Sequence, residues 1–164
     1  MTLPEQERER FCQVLHHSRT SLYRLAFSIT RNSSDAQEAV AEAVCRAYER
    51  YPQLREKEKL PRWLLKITAN EARRLCQRRG RTVSLGDLPT EPAIPGRETG
   101  DDTLWQAVQT LPRDQREAVV LFYYEDLPTE EIARIVGTSP GAVRVRLSRA
   151  REKLRSILKE GDYG

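Results

Sequence analysis

The sequence predicts an all-α fold, in which two small helical domains are joined by a flexible acidic linker and the C-terminal domain contains a helix-turn-helix. Three observations predict it. Apolar residues recur at spacings of three and four through most of the chain, prolines, glycines and acids are concentrated in residues 82–103, and Gly137 separates two amphipathic stretches. The predicted domains are residues 1–81 and 104–164, with the linker at 82–103.

Composition limits the class of protein. The chain has 164 residues and a formal charge of +4, from 28 basic and 24 acidic residues, which suits one or two small domains. No apolar run approaches the ~18 residues of a membrane span, and the N-terminal MTLPEQERER lacks the apolar core of a signal peptide. We therefore expect a cytoplasmic protein with no direct membrane insertion.

The sequence contains no recognisable catalytic or metal-binding motif. Cys12, Cys45 and Cys76 are scattered singly, which argues against a disulfide framework. Cys12 and His16 could share a helix face, but a zinc site needs further ligands close by. There is no glycine-rich phosphate loop and no nucleophile with a recognisable base. We therefore expect no metal, no cofactor and no enzymatic activity.

The first domain begins with two predicted helices. Residues 5–30 carry apolar side chains at helical spacing, and Ser34 with Gln37 predicts a capping box that starts a second helix at about Asp35. The charges on this second helix form either a solvated face or a docking face for a protein partner. Its predicted apolar stripe consists of Val40, Val44, Ala47 and Tyr48.

A third, basic helix is predicted from Pro61, after a charged loop at residues 51–60. Residues 62–81 contain seven basic residues and one acid, Glu71, which suits a nucleic-acid surface. Trp63 fits either a core tryptophan or a platform that stacks on an unpaired base. The predicted apolar side consists of Leu64, Leu65, Thr68, Ala72, Leu75 and Cys76, and the polar side of Lys66, Asn70, Arg73 and Gln77.

The second domain begins with two short predicted helices that lead into the helix-turn-helix. The first starts at Leu104 and ends at Pro112. The second covers residues 113–124, with Val119, Val120 and Phe122 as its predicted core residues.

The helix-turn-helix is predicted in residues 127–158. Gly137 ends its first helix in the left-handed conformation, and Ser139 and Pro140 provide an N-cap and a first helical residue. Residues 140–159 then carry seven cations and a single acid, Glu152. A basic helix can be merely solvated, but the order of helix, stop, cap and helix favours DNA binding.

The whole chain resembles one family. The strings DAQEAVAEAVCRAYERY, RWLLKITANEARRLCQRRGR and LPRDQREAVVLFYYEDLPTEEIARIVGTSPGAVRVRLSRAREKL are similar to those of bacterial RNA polymerase sigma factors of the extracytoplasmic function (ECF) group. The resemblance implies that the first domain binds core polymerase and melts the −10 promoter element, and that the second recognises the −35 element. It also implies contacts with the clamp and flap of the polymerase and an anti-sigma partner that is often membrane-tethered. The linker is implied to thread toward the active site and the RNA exit path of the polymerase.

The resemblance also assigns the candidate site residues. Ala142 and Val145 stand where relatives commonly have hydroxyl residues, which should alter base preference or phosphate anchoring. The residues implied at the polymerase are Glu38, Glu42 and Arg46. Those implied at the −10 element are Lys66, Asn70, Arg73, Arg74 and Gln77, with Asn70 at a flipped base. Those implied at the −35 element are Ser139, Gly141, Ala142, Arg144, Arg146 and Arg149.

A stand-alone transcriptional regulator with a helix-turn-helix is the alternative function. Such a regulator has no need of a second DNA surface with an asparagine on a basic stripe, and it should bind duplex DNA tightly without polymerase. The polar side of the third helix therefore favours the sigma factor.

Overall fold

The computed structural model describes residues 3–79 and 102–162, and every regular element within them is helical, which confirms the all-α prediction. The chain divides into two compact units, Met1–Pro92 and Ala93–Gly164. The predicted linker lies outside the described residues, apart from its last two, which belong to α4. The α-helices are α1 Glu5–Thr30, α2 Ser33–Arg50, α3 Leu60–Arg79, α4 Asp102–Gln109, α5 Arg113–Val119, α6 Thr129–Val136 and α7 Pro140–Asp162.

The turn between α1 and α2 is made by two residues. Arg31 adopts the left-handed conformation (φ 54°) and donates its backbone N–H to the Phe27 carbonyl at 2.7 Å, which ends α1. Asn32 is extended, and its Oδ1 accepts from the Asp35 N–H at 2.9 Å. The predicted capping box at Ser34 is therefore wrong, because Asn32 already satisfies the first-turn amide and Ser34 lies inside the helix.

Alanines form the buried line of α2. Ala36, Ala39, Ala43 and Ala47 have no exposed surface. Of the predicted stripe, only Ala47 is fully buried, whereas Val40, Val44 and Tyr48 are half-buried. The small side chains allow α2 to approach both of its neighbours closely, and α1, α2 and α3 pack on one another as a three-helix bundle.

The connection from α2 to α3 is more regular than the predicted loop. It contains 3₁₀ turns at Tyr51–Gln53 and Lys57–Lys59. Tyr51 is fully buried, packs edge-on against Phe11 and donates from its hydroxyl to Glu7 Oε2 at 2.9 Å. Burial, together with this hydrogen bond and the charge of Glu7, raises the pKa of Tyr51 to about 12. Tyr51 thus ties the end of α2 to the start of α1.

The register of α3 follows the prediction. Its predicted apolar side is buried against α1 and α2, except that Cys76 is half-buried. Trp63 is also half-buried. The buried members of the predicted side are Leu64, Leu65, Thr68, Ala72 and Leu75.

The second unit packs around Trp105, which is 1% exposed and meets the Tyr124 ring edge-on at 5.4 Å. Val119 and Val120 are buried as predicted. The prediction for Phe122 is wrong, because α5 passes into a π-helical turn at Val120–Tyr124. The wider turn shifts the register, so Leu121 is buried and Phe122 is half-exposed.

Candidate nucleic-acid interfaces

The exposed side of α3 carries the five residues implied at the −10 element. Lys66, Asn70, Arg74 and Gln77 are exposed, and Arg73 is half-buried beside them. Spacings of three and four residues keep all five on one face of the helix. They form a single surface, which we call the α3 stripe.

One buried carboxylate lies beneath the α3 stripe. The Glu71 side chain is 7% exposed, and its Oε2 lies 2.8 Å from Arg46 Nε on α2 and 3.3 Å from Arg74 Nη1. The single acid of the basic helix is therefore an internal counterion, which links α2 to α3 and holds Arg74 in place. Arg46, one of the residues implied at the polymerase, belongs to this internal pair.

The amide of Asn70 is contacted by Arg73, one turn later on α3. Arg73 Nη1 donates to Asn70 Oδ1 at 3.2 Å. A guanidinium carries donors only, so the oxygen must be the end of the amide that faces it. The exposed Asn70 therefore has a defined orientation on the stripe.

Ion pairs within the first unit also engage the two acids implied at the polymerase. Glu38 lies 3.3 Å from Arg79 and 3.8 Å from Arg78, at the end of α3. Glu42 lies 3.6 Å from Arg46 on its own helix. The side chains of Glu38 and Glu42 remain 50% and 55% exposed, so a protein partner can reach both.

The helix-turn-helix of the second unit forms as predicted. Gly137 ends α6 in the left-handed conformation (φ 77°), and its N–H donates to the Ala133 carbonyl at 2.8 Å. Ser139 Oγ accepts from the Ala142 N–H at 3.1 Å and caps α7, with Pro140 as the first helical residue. Ser139 therefore has a structural role in addition to its implied place at the −35 element.

The exposed face of α7 centres on four residues near its start. Arg144, Val145, Ser148 and Arg149 are exposed, with Val145 48% exposed, whereas Gly141 and Ala142 are half-buried. We call these four residues the α7 face. From the sequence, Val145 was tied to base preference without being included among the contact residues and Ser148 was not identified, although the spacing of both from Gly141 is the signal that places them on this face.

Arg146 lies at the edge of the α7 face. Its side chain is 27% exposed, and its Nε is 3.7 Å from Asp114 Oδ2 on α5. The side chain thus leans toward α5, away from the exposed arginines. Its implied −35 contact requires it to leave Asp114 or to bridge from it to a phosphate.

Arg151 flanks the opposite edge of α7 and packs against aromatic rings. Its Nε donates to the Tyr123 hydroxyl at 2.6 Å, and its guanidinium lies 5.8 Å from the Phe122 and Tyr123 ring centres. Next to it is a mostly apolar cleft of about 270 Å³, whose lining includes Leu104, Leu154 and Leu158. This cation of α7 therefore contributes to a partly apolar surface.

Across residues 3–79 and 102–162, no three His, Cys, Asp or Glu side chains gather in a group that could hold a metal ion. Cys12, Cys45 and Cys76, all within the described residues, form no disulfide with one another. In the same part of the chain, no helix combines the length and apolar character needed to cross a membrane.

Two family profiles match the two units separately. The profile for sigma-70 region 2 matches residues 14–82, which include most of α1 and all of α2 and α3. The profile for sigma-70 region 4 matches residues 101–154, which include α4, α5, α6 and most of α7. The α3 stripe and the α7 face each lie within a matched range.

Individual proteins are similar over most of the chain. RNA polymerase sigma factor SigV of Bacillus subtilis is 32% identical over 142 residues, which cover 85% of this chain and 86% of SigV. ECF RNA polymerase sigma factor EcfG of Rhodopseudomonas palustris is 32% identical over 84% of this chain and 79% of EcfG. The Bartonella quintana sigma factor RpoE, solved in complex with the anti-sigma factor NepR, matches with a TM-score of 0.76 at 28% identity, covering 91% of this chain and 96% of RpoE.

Proposed function

The chain belongs to the ECF group of RNA polymerase sigma factors, and we propose that it binds core RNA polymerase, recognises the −35 element with the α7 face and melts the −10 element with the α3 stripe. The observation that carries the proposal is the presence of two separate basic surfaces, one on each matched unit. A stand-alone regulator needs only the second of them.

The α7 face has the chemistry of a major-groove surface. Arg144 and Arg149 supply exposed cations for phosphates or for guanine O6 and N7. The exposed isopropyl group of Val145 suits contact with a thymine methyl group, and Ser148 can donate to or accept from a base edge. Because Val145 replaces a hydroxyl residue, part of the −35 preference should come from apolar contact.

The α3 stripe suits a single strand. Its cations can follow a phosphate backbone, and Asn70 between them presents an amide to an unpaired base. The half-buried Trp63 has ring surface left for stacking, at the start of the same helix. The stripe thus combines phosphate binding with hydrogen bonding to bases.

The polymerase contacts are assigned to surfaces away from the two DNA faces. For the clamp, the outer side of α2 offers Glu38 and Glu42 with the small exposed residues Ala41 and Cys45 beside them. For the flap, the apolar cleft next to Arg151 offers a concave surface for a partner side chain.

An anti-sigma factor is the proposed regulator, because the similar RpoE was solved with such a partner. The factor would act in the cytoplasm, and an anti-sigma factor with a membrane anchor would hold it at the membrane until release.

Run-off transcription tests the function. Core RNA polymerase is incubated with fragmented DNA from the source organism, with and without the protein, and the 5′ ends of transcripts are mapped. Discrete start sites that appear only with the protein are expected, and they define the promoter motif. If no such starts appear and the protein alone shifts duplex DNA, the stand-alone regulator replaces the proposal.

A further inference from the structure

We propose that Arg73 is a positioning residue that holds the Asn70 amide with its NH₂ group outward, so that the α3 stripe selects an unpaired cytosine or guanine over adenine. The inference rests on the proposed function, in which the stripe binds the melted −10 strand. Beyond that function, the inference specifies which atom of Asn70 contacts the base and which bases that atom favours.

The orientation follows from the chemistry of the two side chains. A free asparagine amide can rotate by half a turn, exchanging its oxygen for its NH₂ group at little cost. Arg73 favours one orientation, because its Nη1 donates to Asn70 Oδ1 at 3.2 Å and a guanidinium offers no acceptor for the opposite orientation. Since Asn70 is exposed, its Nδ2 remains available to a ligand.

An outward NH₂ group favours bases with two adjacent acceptors. Guanine presents O6 beside N7, and cytosine presents N3 beside O2 on the edge that unpairing exposes. Adenine presents an acceptor beside a donor, and its usual bidentate partner is an amide whose oxygen and NH₂ are both free. In thymine, a ring N–H separates the two carbonyl oxygens. Because Oδ1 of Asn70 already accepts from Arg73, it is less available to the amino group of adenine, and one of the two hydrogen bonds to that base is weakened or lost.

The test uses the full chain with core polymerase and a promoter located by the run-off experiment. Each position of the melted non-template strand is replaced by all four bases, and open-complex formation is measured for every template. The variants are Asn70→Ala, Asn70→Asp, Arg73→Ala and Arg73→Lys, with thermal unfolding as a check that each folds. The readout is the ratio of rates between bases, which a merely structural role of Arg73 would not change.

The expected result has two parts. One position favours cytosine or guanine over adenine by about five-fold or more, and Asn70→Ala abolishes that preference. Arg73→Ala lowers the same ratio by about five-fold or more, whereas Arg73→Lys, which keeps a donor, retains most of it. Asn70→Asp has oxygens only, so it should be no better than Asn70→Ala.

Three outcomes would overturn the inference. If a promoter position that depends on Asn70 prefers adenine or thymine, the Asn70 NH₂ group is not the atom that selects the base. An Asn70→Asp variant that works better than Asn70→Ala would show that the base contact needs an acceptor. An unchanged base ratio in folded Arg73→Ala would remove Arg73 from the selection. In all three cases the wild type still directs transcription, whereas failure of the proposed function abolishes transcription altogether.

Discussion

Replacing Glu71 by glutamine should lower the free energy of unfolding of the first unit by about 1–3 kcal/mol. Glutamine keeps the shape of the side chain and one acceptor oxygen but removes the charge. The Glu71 side chain is 7% exposed and faces two arginines, Arg46 at 2.8 Å and Arg74 at 3.3 Å. The variant therefore leaves two cations without the carboxylate that offsets their desolvation.

The size of the effect follows from the exposure of the partners. Loss of one member of a fully buried ion pair costs about 3–5 kcal/mol, which sets the upper limit. The Arg46 and Arg74 side chains are 34% and 53% exposed, so water compensates part of the loss. The Arg46 Nε atom is buried, but its N–H is not aligned with Glu71 as in a hydrogen bond, so the attraction is mainly Coulombic.

Glu42 provides a matched control, because it contacts the same Arg46 at 3.6 Å from a side chain that is 55% exposed. Glu42→Gln should change the free energy of unfolding by less than about 0.5 kcal/mol. Thermal unfolding of both variants is followed by circular dichroism, and hydrogen exchange of peptides from α2 and α3 assigns the change to the first unit. For a unit of this size, each kcal/mol corresponds to about 4–8 °C in Tm.

Equal effects of the two substitutions would refute the reasoning, because burial would then not determine the contribution of the carboxylate. A stabilised Glu71→Gln variant would refute it more strongly. Such a result would mean that desolvation of Glu71 outweighs its attraction to both arginines.

Three further predictions concern separate features. Gly137→Ala should destabilise the second unit by about 1–2 kcal/mol through its φ of 77° alone, since the added Cβ meets nothing within 4 Å. The control Gly141→Ala, within α7, should be neutral or stabilising by up to ~1 kcal/mol. Equal melting temperatures of the two variants would contradict this prediction. Because the pKa of Tyr51 is raised to about 12 in the folded state, its contribution to stability is complete below about pH 10 and declines as the pH rises through 12. Between pH 9 and pH 11, the melting temperature of Tyr51→Phe should therefore fall less than that of the wild type. An equal fall in both proteins would argue against the raised pKa of Tyr51. Arg144→Ala should reduce the slope of log K against log salt for −35 DNA by about 0.9 if Arg144 binds a phosphate, whereas an unchanged slope with relaxed preference at one base pair would make it a base contact.

Local signals predicted the parts of the fold that local chemistry determines. The helix-turn-helix was predicted correctly because Gly137, Ser139 and Pro140 each impose a backbone conformation or a cap within a few residues. The start of α2 was misplaced because two candidate caps, Asn32 and Ser34, lie two residues apart, and the extended backbone of Asn32 selects it. Side-chain chemistry alone does not distinguish the two.

Packing determined the features that the sequence pattern missed. An apolar pattern favours large residues, so the half-buried valines of α2 were predicted in place of three of its four buried alanines. The close approach of α1 and α3 requires the smaller side chains. Phe122 was misplaced because a helical wheel assumes a uniform turn and the π-helical turn breaks it.

The candidate surfaces were predictable as faces, but their internal ion pairs were not. Periodicity places the five residues of the α3 stripe on one face of their helix, whereas the set predicted on α7 shares only Arg144 and Arg149 with the α7 face. The contact of Arg73 with Asn70 is visible as a spacing of three. The pairs of Arg46 with Glu71 and of Arg146 with Asp114 join residues on different helices, which no local pattern predicts.

These internal pairs change how much of the positive charge is available to DNA. Arg74, Arg79 and Arg146 each face a carboxylate of their own unit, so a phosphate must compete with that acid or share the arginine with it. Within residues 3–79 and 102–162, no such ion pair involves Lys66, Arg144 or Arg149. Lys66, Arg144 and Arg149 should therefore contribute more to phosphate binding than Arg74, Arg79 and Arg146, and the salt dependence should be weaker than the number of cations on α3 and α7 would suggest.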